Sequence, residues 1–221
     1  MDIFGQALLD YHHHELDSKL WLYNSYGSPE EIPVDVFFRA EDEMPDLELM
    51  AMNLATGKIL DIGAGVGSHA LALQNKGADV TALEISAAAC QIMNERGINR
   101  VVNADIFSFK GEKFDTLLLL MNGIGLTGTI AGLRKFLDYA RLLLNPGGSL
   151  IFDSSDISYL YDDIPLPSDR YFGEIEYRYE YKEQFGDWFK WLYIDKDLLR
   201  EIASAAGWTT ELLFDDGMDQ Y

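Results

Sequence analysis

Short apolar runs and helical periodicities alternate along the middle of the chain, from about residue 58 to about residue 153. Most apolar runs end in a glycine, an acid or a polar turn before a helical pattern begins. Such alternation is typical of βαβ units, whose crossover helices cover both faces of a parallel sheet. The pattern therefore predicts an α/β core built on a three-layer, doubly wound, mostly parallel sheet.

The core is predicted to contain five strands. Residues 114–121 give the strongest one, because five consecutive apolar residues follow Thr116, as in a strand covered on both faces. Ser86 is expected to cap one helix and Gly97 to end it. The predicted strands cover residues 58–62, 79–83, 100–103, 114–121 and 149–153, and the predicted helices cover residues 68–76, 86–96 and 129–144.

Beyond the core the pattern changes to antiparallel strands. Residues 174–181 alternate charged and apolar side chains, and residues 188–194 form a second run. Gly186 and Asp187 between them suit the turn of a hairpin. We expect this hairpin to pair at or near the last edge of the parallel sheet. A helix over residues 197–206 and a last strand over residues 208–214 are predicted to follow.

Before the core, helical stretches are predicted at about residues 3–24 and 46–55. The whole chain is expected to be one domain. Its parts are an N-terminal helical cap (1–55), a cofactor-binding core (56–155), and a hairpin insertion with a C-terminal helix and strand (156–221).

The net charge of −20 lies entirely in the flanks of the core. Residues 1–57 carry 2 basic and 12 acidic side chains, residues 58–152 carry 9 and 8, and residues 153–221 carry 6 and 17. Such a field repels phosphate backbones, so a nucleic-acid partner is not expected. Two interpretations stay open: the acidic flanks only keep the protein soluble, or they help attract a cationic substrate.

A cytoplasmic protein with no membrane segment is expected. The chain has one cysteine, Cys90, and its first residues lack the basic and apolar regions of a signal peptide. Its most apolar stretch, residues 117–121, is too short to span a bilayer. The pattern carries no indication of oligomeric state.

A glycine-rich turn joins the first predicted strand to its helix. Gly63, Gly65 and Gly67 allow a sharp turn and let a ligand approach without meeting a Cβ atom. The helix beyond them offers unpaired N–H groups at its positive end. Glu84, which lies 21 residues after Gly63 at the end of the second strand, is placed to accept hydrogen bonds from ribose hydroxyls. The sequence thus predicts a site for an adenosine cofactor.

Asp61 narrows the choice of cofactor. A dinucleotide site usually has a glycine at the sixth position of this motif, where the chain has Ser68. The Asp61 carboxylate would repel a pyrophosphate but attract an ammonium or a sulfonium. This favours S-adenosylmethionine over a dinucleotide.

The ordered motifs of residues 56–155 resemble those of the class I S-adenosylmethionine-dependent methyltransferases. Asp61-Ile62-Gly63-Ala64-Gly65-Val66-Gly67 is similar to motif I of that family, and Glu84 to the acid of motif II. Asp105-Ile106 is similar to the pair that contacts adenine, residues 114–122 to motif IV and its loop, and Asn145-Pro146-Gly147-Gly148 to the turn before the fifth strand. The resemblance implies methyl transfer from S-adenosylmethionine to a small-molecule acceptor.

By the same resemblance, individual residues acquire expected roles. Asp61, Gly63, Ala64 and Gly65 would surround the methionine and ribose portions of the cofactor. Ile85 and Ile106 would lie at the adenine ring. Asp105 would accept a hydrogen bond from the adenine amino group. The backbone of Met121 and Asn122 would lie near the sulfonium, and Arg39 could pair with the methionine carboxylate.

Several roles stay open at this stage. Asp105 could merely cap the following turn, and Asp115 is as readily structural as a ligand. Asp153, Asp156 and the hairpin tyrosines are candidate proton acceptors, and the sequence selects none of them as a catalytic base.

The acceptor is the least determined part. The chain has Met121-Asn122-Gly123-Ile124 where many methyltransferases of bases or glutamine amides have Asn/Asp-Pro-Pro-aromatic, which disfavours those acceptors. An amine-bearing or cationic small molecule is weakly favoured by the acidic flanks. Two alternatives are an aminopropyl transferase, which would need clustered acids that residues 122–128 lack, and a non-catalytic adenosine-binding protein.

Two further clusters have simpler interpretations. Adjacent residues on a helix point in different directions, so His12, His13 and His14 are expected on a solvated face, and no metal site is predicted. The aromatic residues between 171 and 193 are expected to pack within a sheet rather than to form a substrate cage.

Overall fold

The computed structural model of the chain describes residues 1–15, 17–163, 165–215 and 219–220. Its α-helices are α1 (Ile3–His12), α2 (Asp46–Leu54), α3 (Ser68–Asn75), α4 (Ala87–Glu95), α5 (Ile130–Leu143) and α6 (Lys196–Ala205). Its strands are β1 (Leu20–Asn24), β2 (Glu30–Ile32), β3 (Lys58–Ile62), β4 (Asp79–Glu84), β5 (Val101–Asn103), β6 (Phe114–Leu119), β7 (Leu144–Phe152), β8 (Ser154–Ser155), β9 (Glu174–Tyr181), β10 (Gln184–Phe185), β11 (Phe189–Leu192) and β12 (Asp219–Gln220).

Strands β3 to β7 form the predicted parallel sheet, in the order β5-β4-β3-β6-β7. Successive side chains of a strand point to opposite faces, so β6 contributes to two hydrophobic clusters. Leu117 packs with Leu137 of α5 on one face, and Leu118 packs with Leu73 of α3 and Met93 of α4 on the other. The three-layer, doubly wound architecture is confirmed.

Local signals fix the helix ends close to the predicted positions. The Ser86 hydroxyl accepts the Ala89 N–H at the start of α4, and the Thr129 hydroxyl accepts the Gly132 N–H at the start of α5. The end of α5 differs from expectation, because β7 begins directly at Leu144. The predicted turn at residues 145–148 instead lies within β7, where the register against β6 shifts.

The N-terminal region contains a strand where a helix was predicted. Helix α1 ends at His12, and residues 20–24, which belonged to the predicted helix, form β1. β1 pairs antiparallel with β2 on one side and with β9 on the other. Its Leu-Trp-Leu-Tyr sequence suits a strand as well as a helix, and the open edge of β9 decides in favour of the strand.

The hairpin exists, but its turn and its sheet differ from the prediction. The turn lies at Lys182 and Glu183, whose φ angles of 50° and 61° are left-handed. The Lys182 ammonium binds the carboxylates of Asp10 and Asp17, which fixes this turn against the N-terminal region. Gly186 and Asp187 only separate β10 from β11, and both of these strands pair with β9.

The edge of the parallel sheet is also filled differently. The edges of β9 are occupied by β1 and by β10 with β11, so the hairpin belongs to a separate antiparallel sheet and does not pair with β7. Residues 208–214 were predicted to be a strand and are irregular. Short strands β8 and β12 pair with each other instead.

The antiparallel sheet and α1 lie over the carboxyl ends of the parallel strands. Helix α1 packs on α4 and on the inner face of the antiparallel sheet, and its Leu8 shares a buried cluster with Val66 of the glycine turn and Tyr181 of β9. Strand β11 packs on the short 3-10 helix Gly123–Thr127 that follows β6. These two elements, α1 and the antiparallel sheet, are called the cover below.

Among the described residues, no helix combines the length and the apolar character needed to cross a bilayer.

Replacement of Leu117 by alanine tests the position of the core. Leu117 is fully buried in β6, so Leu117→Ala is expected to lower the free energy of unfolding by about 2–5 kcal/mol, through lost burial and a cavity. Leu142 lies on α5 and its side chain is 66% exposed. Leu142→Ala should therefore change the free energy of unfolding by no more than about 0.5 kcal/mol. Urea denaturation of both variants measures the difference, and equal losses would contradict this placement.

Candidate functional site

The glycine turn between β3 and α3 is left-handed at three positions. Gly63, Gly65 and Gly67 have φ angles of 71°, 55° and 82°. A Cβ atom at Gly67 would collide with the side chain of Ile98, whereas nothing lies within 4 Å of a Cβ position at Gly65. The backbone is therefore open at Gly65, as a ligand that approaches closely requires. Ala64 lies between these glycines with its N–H bonded to the Leu83 carbonyl at 3.1 Å.

Glu84 ends β4 beside this turn. One carboxylate oxygen accepts the Gly65 N–H at 2.9 Å, and the other accepts the N–H groups of Ile85 and Ser86 at 2.7 and 2.9 Å. Burial raises the pKa of Glu84 above its ordinary value, although these N–H groups oppose the shift. The carboxylate is thus held rigidly at the position predicted for a ribose-binding acid.

Asp61 is buried below the same turn. Its Oδ2 atom has no hydrogen-bond partner among the described residues. Burial raises the pKa of Asp61 to about 6; the nearby Glu84 adds to this shift, and His69 opposes it. A buried carboxylate that lacks a partner costs free energy unless a cation or donor approaches it. Asp61 is therefore prepared for a positively charged group.

A buried charge row connects Asp61 to the N-terminal region. The imidazole of His69, in the first turn of α3, lies 2.8 Å from one Glu48 oxygen, and the Arg39 guanidinium lies 2.7 Å from the other. Burial raises the pKa of Glu48, but His69 and Arg39 outweigh it and hold the pKa below its ordinary value. Glu48, on α2, thus fixes Arg39 near the glycine turn.

The loop after β6 is held by a second buried acid. Met121 and Asn122 have left-handed φ angles of 63° and 54°. The carboxylate of Asp153 accepts the N–H groups of Asn122 and Gly123 at 2.6 and 3.1 Å. Burial raises the pKa of Asp153 to about 6 in spite of these bonds. The Asn122 amide reaches across to the Leu192 carbonyl of β11, which ties this loop to the cover.

Ile85, Asp105 and Ile106 lie at the ends of β4 and β5. The Ile85 side chain is 69% exposed, whereas Ile106 is buried. Asp105 caps a 3-10 helix by accepting the Phe107 N–H at 2.8 Å, the simpler role left open by the sequence. The Asn103 amide bonds the Glu84 and Ile85 carbonyls and fixes the two strand ends together.

The cover contributes aromatic side chains above these groups. Phe4 of α1, Tyr179 of β9 and Phe189 of β11 stack with ring centroids 4.9 and 5.3 Å apart. Burial raises the pKa of Tyr179, and electrostatic interactions with Tyr193 and Glu84 add to the shift. The Ser68 hydroxyl donates to the Phe37 carbonyl at 2.7 Å and fastens the N-terminal region to α3.

Two other sequence hypotheses have clear outcomes. Asp115 is structural, because it accepts the Lys58 N–H and the Asn145 amide, both at 2.8 Å. His12 and His13 do converge, with ring nitrogens 3.1 and 3.2 Å from one Glu95 oxygen. The expectation that adjacent histidines diverge was wrong for these two, because α1 ends at His12 and His13 is no longer helical.

Sequence reasoning missed Glu48, His69 and the convergence of the tyrosine hydroxyls in the cover. Glu48 and His69 lie on different helices, and no spacing in the sequence links them. An acid within the otherwise amphipathic stretch 46–55 was the available signal for Glu48, which is 4% exposed.

The geometry defines a class of protein before any comparison. Glycines at the end of the first parallel strand, an acid at the end of the second and buried carboxylates nearby are typical of a Rossmann-like fold that binds an adenosine cofactor at its strand ends.

Comparisons with known proteins place the chain within that class. A family described as a methyltransferase domain matches residues 39–213. The crystal structure of an S-adenosylmethionine-dependent methyltransferase from Bacteroides fragilis, in complex with S-adenosyl-L-homocysteine, is 38% identical. The match covers 99% of this chain and 92% of the Bacteroides fragilis chain, with a TM-score of 0.90. The chain therefore belongs to the S-adenosylmethionine-dependent methyltransferases, and S-adenosylmethionine is its cofactor.

More distant proteins share parts of this pattern. The CcbJ methyltransferase from Streptomyces caelestis is 15% identical and has a TM-score of 0.62, over 81% of this chain and 92% of that one, which shows the fold alone. A demethylmenaquinone methyltransferase from Tropheryma whipplei (strain Twist) is 30% identical over 100 residues. That match covers 42% of this chain and spans 40% of the relative's own length.

Replacement of Asp61 by asparagine should stabilise the ligand-free protein. The pKa of Asp61, about 6, is above its ordinary value of 3.8. Protonation therefore favours the folded state, and this stabilisation is lost as the pH rises through about 6. The amide introduced by Asp61→Asn cannot ionise, so this variant is expected to raise the free energy of unfolding above this pH by up to about 3 kcal/mol. The gain should vanish in more acidic buffer.

The measurement is thermal unfolding of the ligand-free protein on both sides of that pH. Asp115→Asn is the matched control with the opposite sign, because the Lys58 N–H and the Asn145 amide lower the pKa of Asp115. That variant should be less stable than the wild type at neutral pH. If Asp61→Asn were less stable than the wild type, this would contradict the conclusion that the ionised Asp61 carboxylate destabilises the ligand-free protein.

Proposed function

We propose that this methyltransferase acts on an amine of a small molecule and binds its cofactor along the strand ends β3, β4, β5 and β6. The observation that carries the proposal is the excess of buried carboxylates over cations at this edge. Asp61, Glu84 and Asp153 all have pKa values raised by burial. Such a cleft favours cations over anions.

The residues present fit S-adenosylmethionine. The Asp61 carboxylate, with its unpaired oxygen, is available to the methionine ammonium, and the open backbone at Gly65 admits the ribose portion between Gly63 and Glu84. The exposed Ile85 side chain offers an apolar surface to the adenine ring, at the end of the cleft where Asp105 and Ile106 lie. Ala64 completes the turn around the ligand.

Arg39 is proposed to pair with the methionine carboxylate. Its guanidinium has five N–H donors, and the structure uses the Nη2 group on Glu48. A guanidinium held by a buried carboxylate keeps a fixed direction while its remaining donors stay available. Glu48 then acts as a positioning residue, because it orients Arg39 without touching the cofactor itself.

The chemistry requires alignment more than acid or base strength. The cofactor supplies a methyl group already activated by the sulfonium. Met121 and Asn122 form the wall beside that group, and Asp153 holds their backbone in its left-handed conformation. A rigid wall of this kind fixes the direction of attack, which is where positioning lowers a barrier most.

Charge also supports an amine acceptor over the alternatives. The flanks that contain the cover carry the whole acidic excess of the chain, with balances of −10 over residues 1–57 and −11 over residues 153–221. A nucleic acid would be repelled by this field. Membership in the methyltransferase family favours methyl transfer over aminopropyl transfer and over a purely binding role.

The proposed role of Arg39 can be tested with two ligands that share the thioadenosine part. S-adenosylhomocysteine carries the amino-acid end, whereas 5′-methylthioadenosine lacks it. Loss of a charged hydrogen bond in Arg39→Gln should weaken binding of the former roughly 10- to 100-fold and leave the latter nearly unchanged. Calorimetry gives both affinities.

Arg100→Gln is the matched control for this experiment. Arg100 pairs with Asp79 and Glu112 on the surface, outside the proposed site. Its replacement should leave both affinities unchanged. Equal weakening of the two ligands in Arg39→Gln would show that Arg39 supports the fold of the site and does not bind the carboxylate.

The acceptor class is tested by the release of S-adenosylhomocysteine from S-adenosylmethionine in the presence of single acceptors. Ethanolamine, glucosamine, tyramine and benzylamine represent amines, while phenol, glucose and benzoate represent phenol, alcohol and carboxylate acceptors that have no amine. We expect turnover with at least one amine and none with the three others, since an acidic cleft attracts an ammonium. Turnover of benzoate alone would overturn the amine proposal.

A further inference from the structure

Three tyrosine hydroxyls of the cover form a row that ends on a carboxylate. The Tyr193 and Tyr177 hydroxyl oxygens lie 3.2 Å apart, and those of Tyr177 and Tyr26 lie 3.4 Å apart. The Tyr26 hydroxyl donates to Glu30 at 3.2 Å. These residues come from β9, from the segment after β11 and from the β1–β2 connection, so three parts of the chain converge on one hydrogen-bonded path.

One end of the row belongs to the segment of chain that is bonded to the Asn122 loop. Tyr193 directly follows Leu192, whose carbonyl accepts the Asn122 amide at 3.2 Å. The Phe189 ring lies 6.1 Å from the Tyr177 ring and 5.3 Å from the Tyr179 ring, so the row adjoins the aromatic stack of the cover. The other end is Glu30, which is exposed on β2. The row therefore runs from the segment that adjoins the Asn122 loop to solvent.

The row is held in place by groups of its own. Asn24, buried at the end of β1, accepts the N–H groups of Tyr26 and Gly27 with its amide oxygen. Its amide nitrogen donates to Glu30 at 3.0 Å, so one side chain positions the last two members of the row. Tyr177 is buried, at 5% exposure, between the other two tyrosines. Such positioning is expected of a built path rather than of surface tyrosines that meet by chance.

The hydroxyls remain protonated at neutral pH. Burial raises the pKa of Tyr26 to about 12, and burial raises the pKa values of Tyr177 and Tyr193 as well. None of the three can therefore act as a base by itself. A neutral hydroxyl can still accept one proton while it gives up another, so the row can pass a proton without any tyrosinate.

The orientation of the hydrogens follows from the chemistry of the ends. Each tyrosine hydroxyl has one hydrogen, and an ionised carboxylate only accepts. In the structure Tyr177 donates to Tyr193. Rotation of the Tyr177 and Tyr193 hydroxyls about their C–O bonds directs every hydrogen of the row towards Glu30. In that arrangement the Tyr193 oxygen has a free lone pair for a donor in the cleft.

We propose that Tyr193, Tyr177 and Tyr26 form a proton relay that carries the proton of a protonated amine acceptor from the cleft to Glu30. This inference rests on the proposed amine acceptor and identifies the acceptor as an ammonium that binds at the Tyr193 hydroxyl. An amine must lose a proton before its lone pair can attack, and the sulfonium beside it makes that loss easier.

The step balances in atoms and charge. The acceptor ammonium gives a proton to the Tyr193 oxygen, the Tyr193 hydrogen moves to Tyr177, the Tyr177 hydrogen to Tyr26, and the Tyr26 hydrogen to the Glu30 carboxylate. The freed nitrogen lone pair forms the bond to the methyl carbon, and the electron pair of the breaking carbon–sulfur bond leaves on sulfur. The methylated ammonium and S-adenosylhomocysteine are the products, and Glu30 returns its proton to water.

The test uses Tyr26→Phe and Glu30→Gln in the full chain, with ethanolamine, glucosamine, tyramine and benzylamine as acceptors. Each variant is expected to lower kcat roughly 10- to 100-fold, in the range of proton-transfer catalysis, with little change in KM. Tyr23→Phe and Glu31→Gln are the matched controls. Tyr23 packs against Phe185 and Arg178, and Glu31 pairs with Lys19, so both lie outside the row.

Rescue by a small acid separates a relay from a structural role. Added formate should restore turnover in Glu30→Gln, because it can occupy the exposed end of the row and accept the Tyr26 proton. The same formate should leave Tyr26→Phe unchanged, because that variant lacks the preceding hydroxyl. Calorimetric affinity for S-adenosylhomocysteine should be the same in all variants and in the wild type.

Each outcome decides the inference. Unchanged kcat in both variants, or rescue of Tyr26→Phe by formate, overturns the relay. Equal loss of S-adenosylhomocysteine affinity and turnover shows a structural role and also overturns it. Wild-type protein that binds S-adenosylhomocysteine but methylates none of the four amines overturns both the ammonium assignment and the relay. Turnover of only phenol, glucose or benzoate shows instead that the proposed amine acceptor was wrong.

Discussion

Burial of several carboxylates at one edge of the parallel sheet is the constraint on which the rest of this structure depends. Parallel strands bring their carboxyl ends to the same edge, so the acids at the ends of β3, β4 and β7 must share it. Burial of these side chains raises the pKa values of Asp61 and Asp153 to about 6. The buried acids lower the stability of the ligand-free protein and favour the binding of a cation. The stability of the ligand-free protein and its affinity for a cation are therefore opposed at this edge.

The N-terminal region and α3 place Arg39 and His69 on one shared acid beside this edge. Arg39 and His69 reach the same Glu48 carboxylate from different elements, so α2 and α3 are joined at the glycine turn by charge as well as by apolar contacts. A pair buried in this way contributes less net stability than its short distances suggest, because desolvation opposes it. The main effect of the Arg39–Glu48 pair is on orientation, because it fixes the direction of the Arg39 guanidinium.

The sequence predicted the core well because its signals are local. A glycine turn, a Ser86 cap and an apolar run such as residues 117–121 each determine their own neighbourhood. The cover was predicted less well, because Leu20–Asn24 becomes a strand only through the edge that β9 offers much later along the chain. The same reason hid Glu48 and the tyrosine row: their partners are distant in sequence, and hydropathy alone does not pair them. The strand predicted over residues 208–214 was wrong for the opposite reason. The local pattern suits a strand, but within the described residues no strand pairs with this segment, and it is irregular.

The pairing of β1 with β9 has a consequence for the order in which the protein assembles. Trp21 faces Glu180, so this ladder closes a loop that contains the entire parallel sheet. Contacts of such long range form late, after the βα units have gained the stability of their local contacts. During synthesis the glycine turn can therefore fold before β9 has joined the antiparallel sheet of the cover. The carboxyl ends of the parallel strands are covered only when both ends of the chain meet, and a chain cut short before β9 would also lose Leu192, Ile194 and Ile202 from the core that packs on α5.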